Sequence, residues 1–428
     1  MTVHGNGKIK SICMLSIHGY FDPVPQLGRT DTGGQVIYLL DLAKALTKHK
    51  IRVDIYTRWF DRSKGQIEHV PGYPDVRVIR IPAGPWEFIP KEMIYDVLPE
   101  LAERMVKFIR ESNLHYDLLH GHYVDAGIVT LDVARELDKP AFFTAHSLGA
   151  WKKQKREREP EETNRFFNFS RRIAEELRIF RSVRAQTVTS KEEKGKIEEL
   201  YHFRPPRVEF IPPGVDVQLF RPLNENEEEK KTEVTLPRKY IFAVGRISNV
   251  KGHDLLLPAF LRVVEEFRDI HLVIAGGSKT PDNEERDVLF RAKRFVEENQ
   301  IKQKVHIIGG IPHDDLPPYF RQAELFTLPA RYEPFGMTAL EAMACKAPAV
   351  VSRFSGIQEN LSSGKNCLLI DPFKTDEYGE AIISLLKNRT LAQNLAKAGC
   401  EVVRKEFSWE AIAQKHISFY EKFMNVNR

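Results

Sequence analysis

The chain has 428 residues, of which 42% are hydrophobic and 29% charged, as expected for a soluble globular protein with room for two domains of roughly 200 residues each. The formal net charge of +5 is too small by itself to indicate a nucleic-acid partner, although it permits an anionic small substrate. Apolar runs such as "LVIAG" are far too short to span a bilayer.

The first half of the sequence alternates short apolar runs with longer amphipathic stretches. Strands alternating with helices predict βαβ units and parallel sheets. The clearest helical patterns are "GQVIYLLDLAKALTKH" and "NFSRRIAEELRIFRS". The predicted strands are "KSICMLSI", "RVDIYT", "VRVIRI", "DLLHGH", "AFFTAH" and "AQTVTS".

A proline-rich stretch, "VEFIPPGVDVQLFRP", interrupts this rhythm, because its prolines and Gly214 exclude a regular helix. We therefore predict an α/β protein with two doubly wound domains, residues 1–214 and 215–407. The last helical stretch, at about 408–428, fits either domain, including a return to the first. The strands predicted in the second half are "YIFAVGR", "IHLVIAGG", "KVHIIGG", "LFTLPA", "PAVVSR" and "NCLLID".

Open α/β sheets bind ligands at the carboxyl ends of their strands, so two such domains facing a cleft would carry their site residues in loops that follow strands. The loop "GRISNVKG" follows "YIFAV" and contains Arg246 and Lys251. Arginine forms forked hydrogen bonds with phosphate oxygens, and lysine adds a point charge. The loop therefore fits a diphosphate leaving group, on which charge builds as its bond breaks. An ordinary basic loop is an equal alternative.

Two loops in the first half carry similar signals. In "TDTGGQVIYLLDLAKAL", Gly33 and Gly34 let the backbone approach a ligand, and the helix that they open presents N–H groups to an anion. Gln35 adds an amide. His146 directly follows a strand, where imidazole can bond a sugar hydroxyl or the reacting centre. Taken alone, a glycine-rich helix start and a structural histidine are the commoner explanations.

The stretch "RYEPFGMTALEAMA" follows the strand "LFTLPA". Pro334 and Gly336 predict a turn at which a helix begins, so that Glu333 precedes the helix and Glu341 lies inside it. A carboxylate at Glu341 can accept both hydroxyls of a ribose. Two solvated glutamates astride a turn are the alternative. The first N–H groups of the helix can meet a sugar hydroxyl or a phosphate; they belong to Phe335, Gly336 and Met337.

Basic residues also cluster in the first half, in "FIPKE", "LGAWKKQK" and "NFSRRIAEE". Solvated helix faces would explain them. The alternative is a phosphate pocket in the first domain, separate from the diphosphate site, to which Ser147 adds anion-binding character. The basic residues are Lys91, Lys152, Arg171 and Arg172.

Taken together, the motifs resemble the retaining GT-B glycosyltransferases of family 4, and within them the sucrose-phosphate synthases and the related mannosylfructose-phosphate synthases. The resemblance spans essentially the whole chain. Each motif is weak singly, but the ordered set is highly specific for the superfamily. In chain order the motifs are "TDTGGQVIYLLDLAKAL", "FIPKE", "HGHYVDAG", "TAHSLGAWKK", "RRIAEEL", "IPPGVD", "GRISNVKG" and "RYEPFGMTALEAMA".

The resemblance implies a GT-B fold with an acceptor-binding first domain and a nucleotide-sugar-binding second domain. Arg246 and Lys251 would hold the donor diphosphate, and Glu341 would bind the ribose. His146 would bond the donor sugar near its anomeric carbon. The remaining donor-sugar contacts would come from Glu333 and from the N–H groups of Phe335, Gly336 and Met337.

The same resemblance implies an acceptor site for fructose 6-phosphate. Gly33, Gly34 and Gln35 would lie between the donor phosphate and the acceptor. Arg171 is an alternative to Arg172 as a ligand of the acceptor phosphate. The pocket residues would be Lys91, Tyr123, Ser147, Lys152 and Arg172.

The implied reaction moves glucose from UDP-glucose to fructose 6-phosphate and gives sucrose 6-phosphate. "HGYF" together with "SLGAWKK" and "RYEPFGMTA" favours the mannosylfructose type, for which the donor would be GDP-mannose. ADP-glucose is a further candidate donor. The base should stack near "VHIIGGIPH", which shows no decisive residue. The remaining alternatives are a family-4 enzyme with a lipid or polysaccharide acceptor and a non-catalytic nucleotide-sugar sensor.

No tightly bound cofactor is expected, and the lack of a DxD motif predicts that no metal is essential to the chemistry. The resemblance implies front-face substitution, in which the leaving phosphate accepts the acceptor's proton. The N-terminus lacks the features of a signal peptide, and four scattered cysteines without a CxxC pair favour a reducing cytoplasm. We expect neither a nucleic-acid nor a membrane partner. We expect little room in the chain for an appended phosphatase and therefore expect a separate sucrose-phosphate phosphatase.

Overall fold

The computed structural model describes residues 9–25, 34–154, 167–278, 281–333 and 335–424. These residues divide into two compact units. The N-terminal unit lies within Met1–Gly214 and Trp409–Arg428, and the C-terminal unit is Val215–Ser408. The division between Gly214 and Val215 falls in the proline-rich stretch that interrupts the sequence pattern.

The described part of the N-terminal unit contains one eight-stranded sheet. Its strands are β1 (Ser11–Leu15), β2 (Arg52–Trp59), β3 (Ile67–Val70), β4 (Tyr73–Pro82), β5 (Leu118–His122), β6 (Ala141–Thr144), β7 (Ala185–Val188) and β8 (Val208–Phe210). Their order is β3-β4-β2-β1-β5-β6-β7-β8, and only the β3–β4 pair is antiparallel. β1, β5, β6 and β7 are buried along their whole length, as their continuous apolar runs predict.

All six strands predicted in the first half are present, but β3 and β8 were missed. β3 forms a hairpin with β4 through a turn in which Gly72 has φ +78°, and Val70 is the one buried residue of this strand. β8 has three residues, all half-buried. Both strands lie at the edges of the sheet, where short length and polar side chains weaken the apolar pattern from which a strand is recognised.

The C-terminal unit contains a six-stranded sheet with parallel pairing throughout its described strands. The strands are β9 (Tyr240–Val244), β10 (His271–Ala275), β11 (Val305–Ile307), β12 (Leu325–Leu328), β13 (Ala349–Ser352) and β14 (Leu368–Ile370). Their order is β11-β10-β9-β12-β13-β14. Each of them corresponds to a strand predicted from the sequence.

Helices connect most of the strands, as βαβ units require. In the N-terminal unit they are α1 (Gly34–Thr47), α2 (Leu98–Glu111), α3 (Val124–Leu137), α4 (Gly149–Gln154), α5 (Phe169–Ser182) and α6 (Lys191–Tyr201). In the C-terminal unit they are α7 (His253–Glu266), α8 (Asn283–Glu298), α9 (Pro317–Gln322), α10 (Met337–Ala344), α11 (Thr375–Lys387) and α12 (Arg389–Val402), and α13 (Trp409–Met424) follows them. Over the described residues, none of the helices combines the length and the apolar character that crossing a membrane requires.

The last helix, α13, belongs to the N-terminal unit, although the C-terminal unit precedes it in the chain. Its apolar face shares a core cluster with α1 and with the strands β1 and β2. The rings of Phe142 and Phe419 meet edge to face, with their centroids 5.3 Å apart. A Cβ atom on Gly214 would lie 2.5 Å from the Trp409 ring, so this glycine is required where the helix packs. The last helix, which by its sequence pattern fits either domain, therefore packs on the N-terminal unit.

In both sheets the strand order reverses beside the first strand of the unit. β1 lies between β2 and β5, and β9 lies between β10 and β12. Such a switch point leaves a crevice at the carboxyl ends of the strands, where open α/β sheets bind ligands. In the N-terminal unit, His18 follows β1 and His122 ends β5; in the C-terminal unit, Arg246 follows β9.

Candidate active site

We call the residues at the carboxyl ends of β1, β5 and β6 the N-terminal site: His18, Gln35, His122, Tyr123, Asp125, His146, Ser147 and Arg172. Its first pair joins His18 Nδ1 to Asp125 Oδ2 over 2.6 Å. The side chain of Asp125 is 1% exposed, and its second oxygen accepts the N–H of Ala126 at 2.6 Å. This carboxylate therefore orients the His18 ring and leaves the Nε2 atom of His18 as the ring nitrogen outside the pair.

A second pair joins His122 and His146, with His122 Nδ1 2.9 Å from His146 Nε2. His122 is fully buried, whereas His146 is partly exposed. His146 has φ +56°, a left-handed conformation that is uncommon for residues other than glycine. The edge-to-face contact of its ring with Tyr38, whose centroid is 5.0 Å away, helps to hold it there. The structure thus fixes the orientation of the histidine that the sequence motif singled out.

Burial keeps four neighbouring imidazole rings neutral, those of His120, His122, His146 and His416. It lowers the pKa of His146 to about 3, with His18 and His416 adding to the effect, and it lowers the pKa of His416 to about 4. Burial and neighbouring histidines also hold the pKa values of His120 and His122 well below the ordinary value. At neutral pH these rings therefore act as hydrogen-bonding groups rather than as cations.

These lowered pKa values predict acid sensitivity. The unfolded chain takes up protons near pH 6.5, whereas in the folded protein His416 resists protonation until about pH 4 and His146 until about pH 3. Stability is therefore complete above about pH 6.5 and falls below it, by about 1.4 kcal/mol per pH unit for each buried histidine. We expect urea midpoints to fall between pH 7 and pH 5, with a smaller slope in His416→Gln and an unchanged slope in the exposed-site control His69→Gln. Equal slopes in all three proteins would contradict the conclusion that buried His416 contributes to the acid sensitivity.

Gln35 lies in the first turn of α1, and its side-chain amide is used within the N-terminal site. Its Nε2 atom donates to Ser16 Oγ at 3.0 Å and to the carbonyl of His122 at 3.1 Å. These bonds tie the start of α1 to the ends of β1 and β5. Gly34 is the first residue of α1 and is exposed. Gly33 lies outside the described residues.

Arg172 is the buried cation of the N-terminal site. Its Nε atom donates to Glu176 Oε1 at 2.9 Å, and its Nη2 atom donates to the carbonyl of Ser147 at 2.8 Å and to the Ser147 hydroxyl at 3.3 Å. The guanidinium lies 4.7 Å from the ring centroid of Tyr123. Burial by itself would lower the pKa of Arg172, but Glu176 and Tyr123 raise it overall, so the charge persists.

Glu176 fixes the loop beneath Ser147 as well as Arg172. It accepts the N–H of Gly149 at 2.9 Å and the hydroxyl of Tyr201. Arg172 is predicted from the sequence as part of a phosphate pocket. Glu176, the fourth residue after it on α5, is not predicted. Within the described residues, Nη1 is the nitrogen of Arg172 that makes no hydrogen bond to the protein.

The other basic residues predicted for the acceptor lie around this centre. Arg171 donates to Asp96 at 3.0 Å and lies 4.8 Å from the ring centroid of Tyr95; its side chain is 45% exposed. The ammonium of Lys91 is 3.8 Å from Glu92. The ammonium of Lys152, on α4, lies 4.3 Å from the centroid of Phe167. Arg171 is thus the exposed arginine of the adjacent pair, and Arg172 is the buried one.

We call the following residues, which come after β9, β11 and β12, the C-terminal site: Arg246, Lys251, His313, Glu333, Phe335, Gly336, Met337 and Glu341. Arg246 is exposed, and its guanidinium makes no ion pair or hydrogen bond with the described part of the chain. Lys251 pairs with Glu333. Their loops are held together by Arg331, whose Nη1 and Nη2 atoms donate to Asp254 at 2.6 and 2.9 Å. The C-terminal site therefore contains two cations, Arg246 and Lys251, and two carboxylates, Glu333 and Glu341.

The turn before α10 presents free backbone donors. Gly336 is the N-cap residue with φ +113°, a conformation that favours glycine, and a Cβ atom there would lie 3.0 Å from Ile357. Within the described residues, the N–H groups of Phe335, Gly336 and Met337 donate to no protein acceptor. They remain available to a hydroxyl or an anion.

Glu341 lies inside α10 and is 4% exposed. Its Oε1 atom is 2.8 Å from His313 Nε2, whereas its buried Oε2 atom has no partner among the described residues. A buried carboxylate oxygen without a donor is costly, so it marks a place where a ligand hydroxyl would bind well. His313 ends the stretch "VHIIGGIPH", in which the sequence analysis found no decisive residue.

The sequence analysis missed several residues of these sites: His18, His122, Asp125, Glu176 and His313. His18 directly follows a predicted strand, and His122 ends one, so the rule that led to His146 could have found both. Asp125 lies in "HGHYVDAG", a motif quoted only for the resemblance. Glu176 likewise lies in "RRIAEEL", a motif quoted only for the resemblance. His313 carries no comparable local signal, because its importance depends on a partner supplied by the fold.

Comparison with known proteins connects this geometry to a family. The family described as "Glycosyltransferase Family 4" matches residues 32–219, and "Glycosyl transferases group 1" matches residues 224–402. Mannosylfructose-phosphate synthase from Agrobacterium fabrum is 36% identical over 415 residues, which cover 96% of this chain and 91% of that protein. The chain is a glycosyltransferase of family 4. The identity and coverage also show it to be a hexosyltransferase of the sucrose-phosphate and mannosylfructose-phosphate synthase type.

Two other comparisons show how broad this family-4 group is. The solved structure of sucrose-phosphate synthase from Thermosynechococcus elongatus aligns with a TM-score of 0.74 and 27% identity, over 96% of this chain and 98% of that one. The alignment confirms the predicted GT-B fold. D-inositol 3-phosphate glycosyltransferase from Corynebacterium glutamicum is 30% identical over 415 residues, with 96% of each chain covered. The family-4 enzyme described here thus has relatives whose names refer to different phosphorylated compounds.

Proposed function

We propose that the enzyme transfers a hexose from a nucleotide diphosphate sugar to the 2-hydroxyl of fructose 6-phosphate, with retention at the donor carbon. The observation that carries this proposal is the cationic centre of the N-terminal site, where Arg172 is held against Ser147 and Tyr123. A fixed guanidinium with a free nitrogen suits a phosphate better than a neutral sugar. The relatives named mannosylfructose-phosphate synthase and sucrose-phosphate synthase agree with such an acceptor.

The acceptor phosphate would bind to Nη1 of Arg172. Arg171 would approach from the exposed side by exchanging its ion pair with Asp96, which is solvated and therefore weak. Lys91 and Lys152 would supply further positive charge, and Tyr123 and Ser147 would shape the pocket. The proposal thus gives the two adjacent arginines different tasks: Arg172 orients the phosphate, and Arg171 strengthens its binding.

The donor would bind to the C-terminal site. Arg246 and Lys251 would neutralise the diphosphate as the bond to the sugar breaks, which is where charge develops. The unpartnered Oε2 atom of Glu341 would accept a ribose hydroxyl, with His313 fixing the carboxylate from its other side. Glu333 and the N–H groups at Phe335, Gly336 and Met337 would hold hydroxyls of the donor sugar.

In the proposed reaction, the bond between the donor carbon and the diphosphate oxygen breaks, and the 2-hydroxyl of the acceptor forms the new bond on the same face. The proton of that hydroxyl passes to the departing phosphate oxygen. Gly33, Gly34 and Gln35 would lie between donor phosphate and acceptor, and His146 would bond the donor sugar beside the reacting carbon. Holding both substrates in this geometry supplies much of the rate enhancement. We propose that no metal is essential to this chemistry and that no cofactor is tightly bound.

We propose UDP-glucose as the donor, which makes the product sucrose 6-phosphate. A second candidate is GDP-mannose, which is favoured by the 36% identity to a protein named mannosylfructose-phosphate synthase. Either product keeps its 6-phosphate, so a separate phosphatase would act after this enzyme. We propose a cytoplasmic location, where nucleotide sugars and sugar phosphates are available together.

The test is an assay of defined donors against defined acceptors with the product identified by mass spectrometry. The donors are UDP-glucose, ADP-glucose and GDP-mannose; the acceptors are fructose 6-phosphate, fructose and inositol 3-phosphate. We expect transfer to fructose 6-phosphate, much weaker transfer to fructose, and unchanged rates after addition of EDTA. Preference for inositol 3-phosphate, transfer only to a lipid or polysaccharide, or donor binding without transfer to any acceptor would overturn the proposal.

A further inference from the structure

The hydrogen bond between His122 and His146 has a direction, and this direction decides what His146 offers to a ligand. The bond joins His122 Nδ1 to His146 Nε2 at 2.9 Å. His146 Nδ1 makes no hydrogen bond with the described residues, and it does not belong to the buried polar atoms that lack a partner. It is therefore the ring nitrogen that can reach a bound substrate. A neutral imidazole carries one proton, so Nδ1 is either a donor or an acceptor.

Two arrangements of the protons are compatible with this bond. In the first, His122 donates from Nδ1, so His146 carries its own proton on Nδ1 and presents a donor. In the second, His146 donates from Nε2, so His122 must carry its proton on Nε2 while His146 presents a bare Nδ1 acceptor. The two arrangements make the same bond between the rings and differ at the two outer nitrogens.

The surroundings of His122 separate these arrangements. Its Nε2 atom is buried and has no hydrogen-bond partner among the described residues. The neighbouring ring of His120, 4.2 Å away between centroids, offers no acceptor, since its nitrogens bond Tyr420 and Thr144. A buried N–H group without an acceptor is rarer in proteins than an acceptor without a donor. The second arrangement would create such an N–H group, and the first would not.

We infer that His122 is a positioning residue that fixes His146 as the tautomer protonated on Nδ1. His122 Nδ1–H donates to His146 Nε2, and His146 Nδ1–H is thereby turned into a hydrogen-bond donor for an oxygen of the bound substrate. The amide of Gln35 supports this arrangement, because it donates to the carbonyl of His122 at 3.1 Å and holds the end of β5 in place.

The catalytic consequence rests on the proposed function, in which His146 bonds the donor sugar beside the reacting carbon. A donor N–H group there can bond any oxygen of the donor sugar, including the ring and glycosidic oxygens that carry no proton, whereas a bare nitrogen can bond only a hydroxyl. His122 touches no substrate and acts only through the ring of His146. The tautomer itself is a property of the protein without substrate, so it can be measured whether or not the proposed substrates are correct.

The first experiment measures the tautomer in the full-length protein without ligands. Two-bond ¹H–¹⁵N correlation spectra of ¹⁵N-histidine-labelled protein distinguish protonated from bare ring nitrogens. The signals of His146 are identified by their loss in His146→Asn. We expect a protonated Nδ1 and a bare Nε2 for His146 at pH 7.5. A protonated Nε2 on His146 would overturn the inference whatever the variants show.

The second experiment uses two variants of nearly equal shape at His122. In His122→Asn the side-chain amide can still donate to His146 Nε2, whereas in His122→Asp the carboxylate can only accept and so calls for a proton on Nε2. We expect the asparagine variant to keep the Nδ1–H signal and most of kcat. The aspartate variant should move the proton to Nε2 and lower kcat roughly tenfold, the effect of one hydrogen bond, with little change in KM for the donor.

His69→Asn is the matched control, because His69 is exposed. It lies on β3 at the edge of the sheet, away from the His18–Asp125 and His122–His146 pairs. Equal kcat values and equal His146 spectra in the asparagine and aspartate variants would overturn the inference. If circular dichroism shows that the aspartate variant does not fold, the wild-type and asparagine spectra still show which ring nitrogen of His146 is protonated. An Nδ1–H signal in a protein that transfers from none of the donors would leave the inference standing and refute the proposed function.

Discussion

Replacing Arg172 with methionine is expected to lower the free energy of unfolding by about 3–5 kcal/mol. The side chains of Arg172 and Glu176 are 5% and 1% exposed and lie 2.9 Å apart. Removing the guanidinium leaves Glu176 as a buried charge with only neutral donors, the N–H of Gly149 and the hydroxyl of Tyr201. The loop that carries Ser147 loses two hydrogen bonds at the same time.

Arg171→Met is the matched control, since it removes the same side chain one position earlier on the same helix. Arg171 is 45% exposed and its partner Asp96 is 85% exposed, so this ion pair contributes about 0–1 kcal/mol. Urea denaturation followed by circular dichroism measures both variants. Equal losses of stability in the two variants would show that the buried network does not support the N-terminal unit.

Replacing Lys251 with methionine is expected to lower kcat/KM for transfer by about 10²–10³-fold, the usual effect of removing one group that stabilises charge in a transition state. Lys251 follows β9 in the same loop as Arg246, where charge would develop on the departing diphosphate. Its ion pair with Glu333 is partly exposed, at 24% and 12%, so the loss of stability should stay near 1 kcal/mol or below. The variant should therefore be folded but slow.

Lys374→Met provides the control, because Lys374 also pairs with a glutamate in the C-terminal unit but is 58% exposed and lies in neither site. Initial rates are measured with the donor and acceptor that the assay of defined substrates identifies, and folding is checked by thermal melting. We expect normal kcat/KM in Lys374→Met and partial activity in Lys251→Arg, which keeps the charge. Near-normal turnover in Lys251→Met would refute its role at the diphosphate.

Much of the fold could be predicted because its strands carry local signals. Buried parallel strands are continuous apolar runs, and all twelve predicted strands are present. The rule that ligands bind at strand ends then led to His146, Arg246 and Glu333 without knowledge of the fold. β3 and β8 escaped because an edge strand needs no apolar run, and its pairing partner is not visible in its own residues.

The pairings within the sites could not be predicted in this way. His18 and Asp125 are 107 positions apart, so their contact depends on β1 and β5 being neighbours in the sheet. Arg172 and Glu176 are four positions apart on α5, a spacing that usually means a solvated pair on a helix surface. Only burial reveals this pair as a structural centre. The pair of His313 and Glu341 likewise depends on the fold, which brings the segment after β11 against α10.

The position of α13 has a consequence for biosynthesis. Because Trp409–Met424 completes the core of the N-terminal unit, the C-terminal unit is in effect inserted into the N-terminal one. A ribosome makes the strands β1 to β8 and the helices α1 to α6 first, yet the nascent chain lacks the last helix of the core shared with α1 until all of Val215–Ser408 has been translated. The C-terminal unit is contiguous and can fold as it emerges. The unit that is begun first is therefore the one that is completed last.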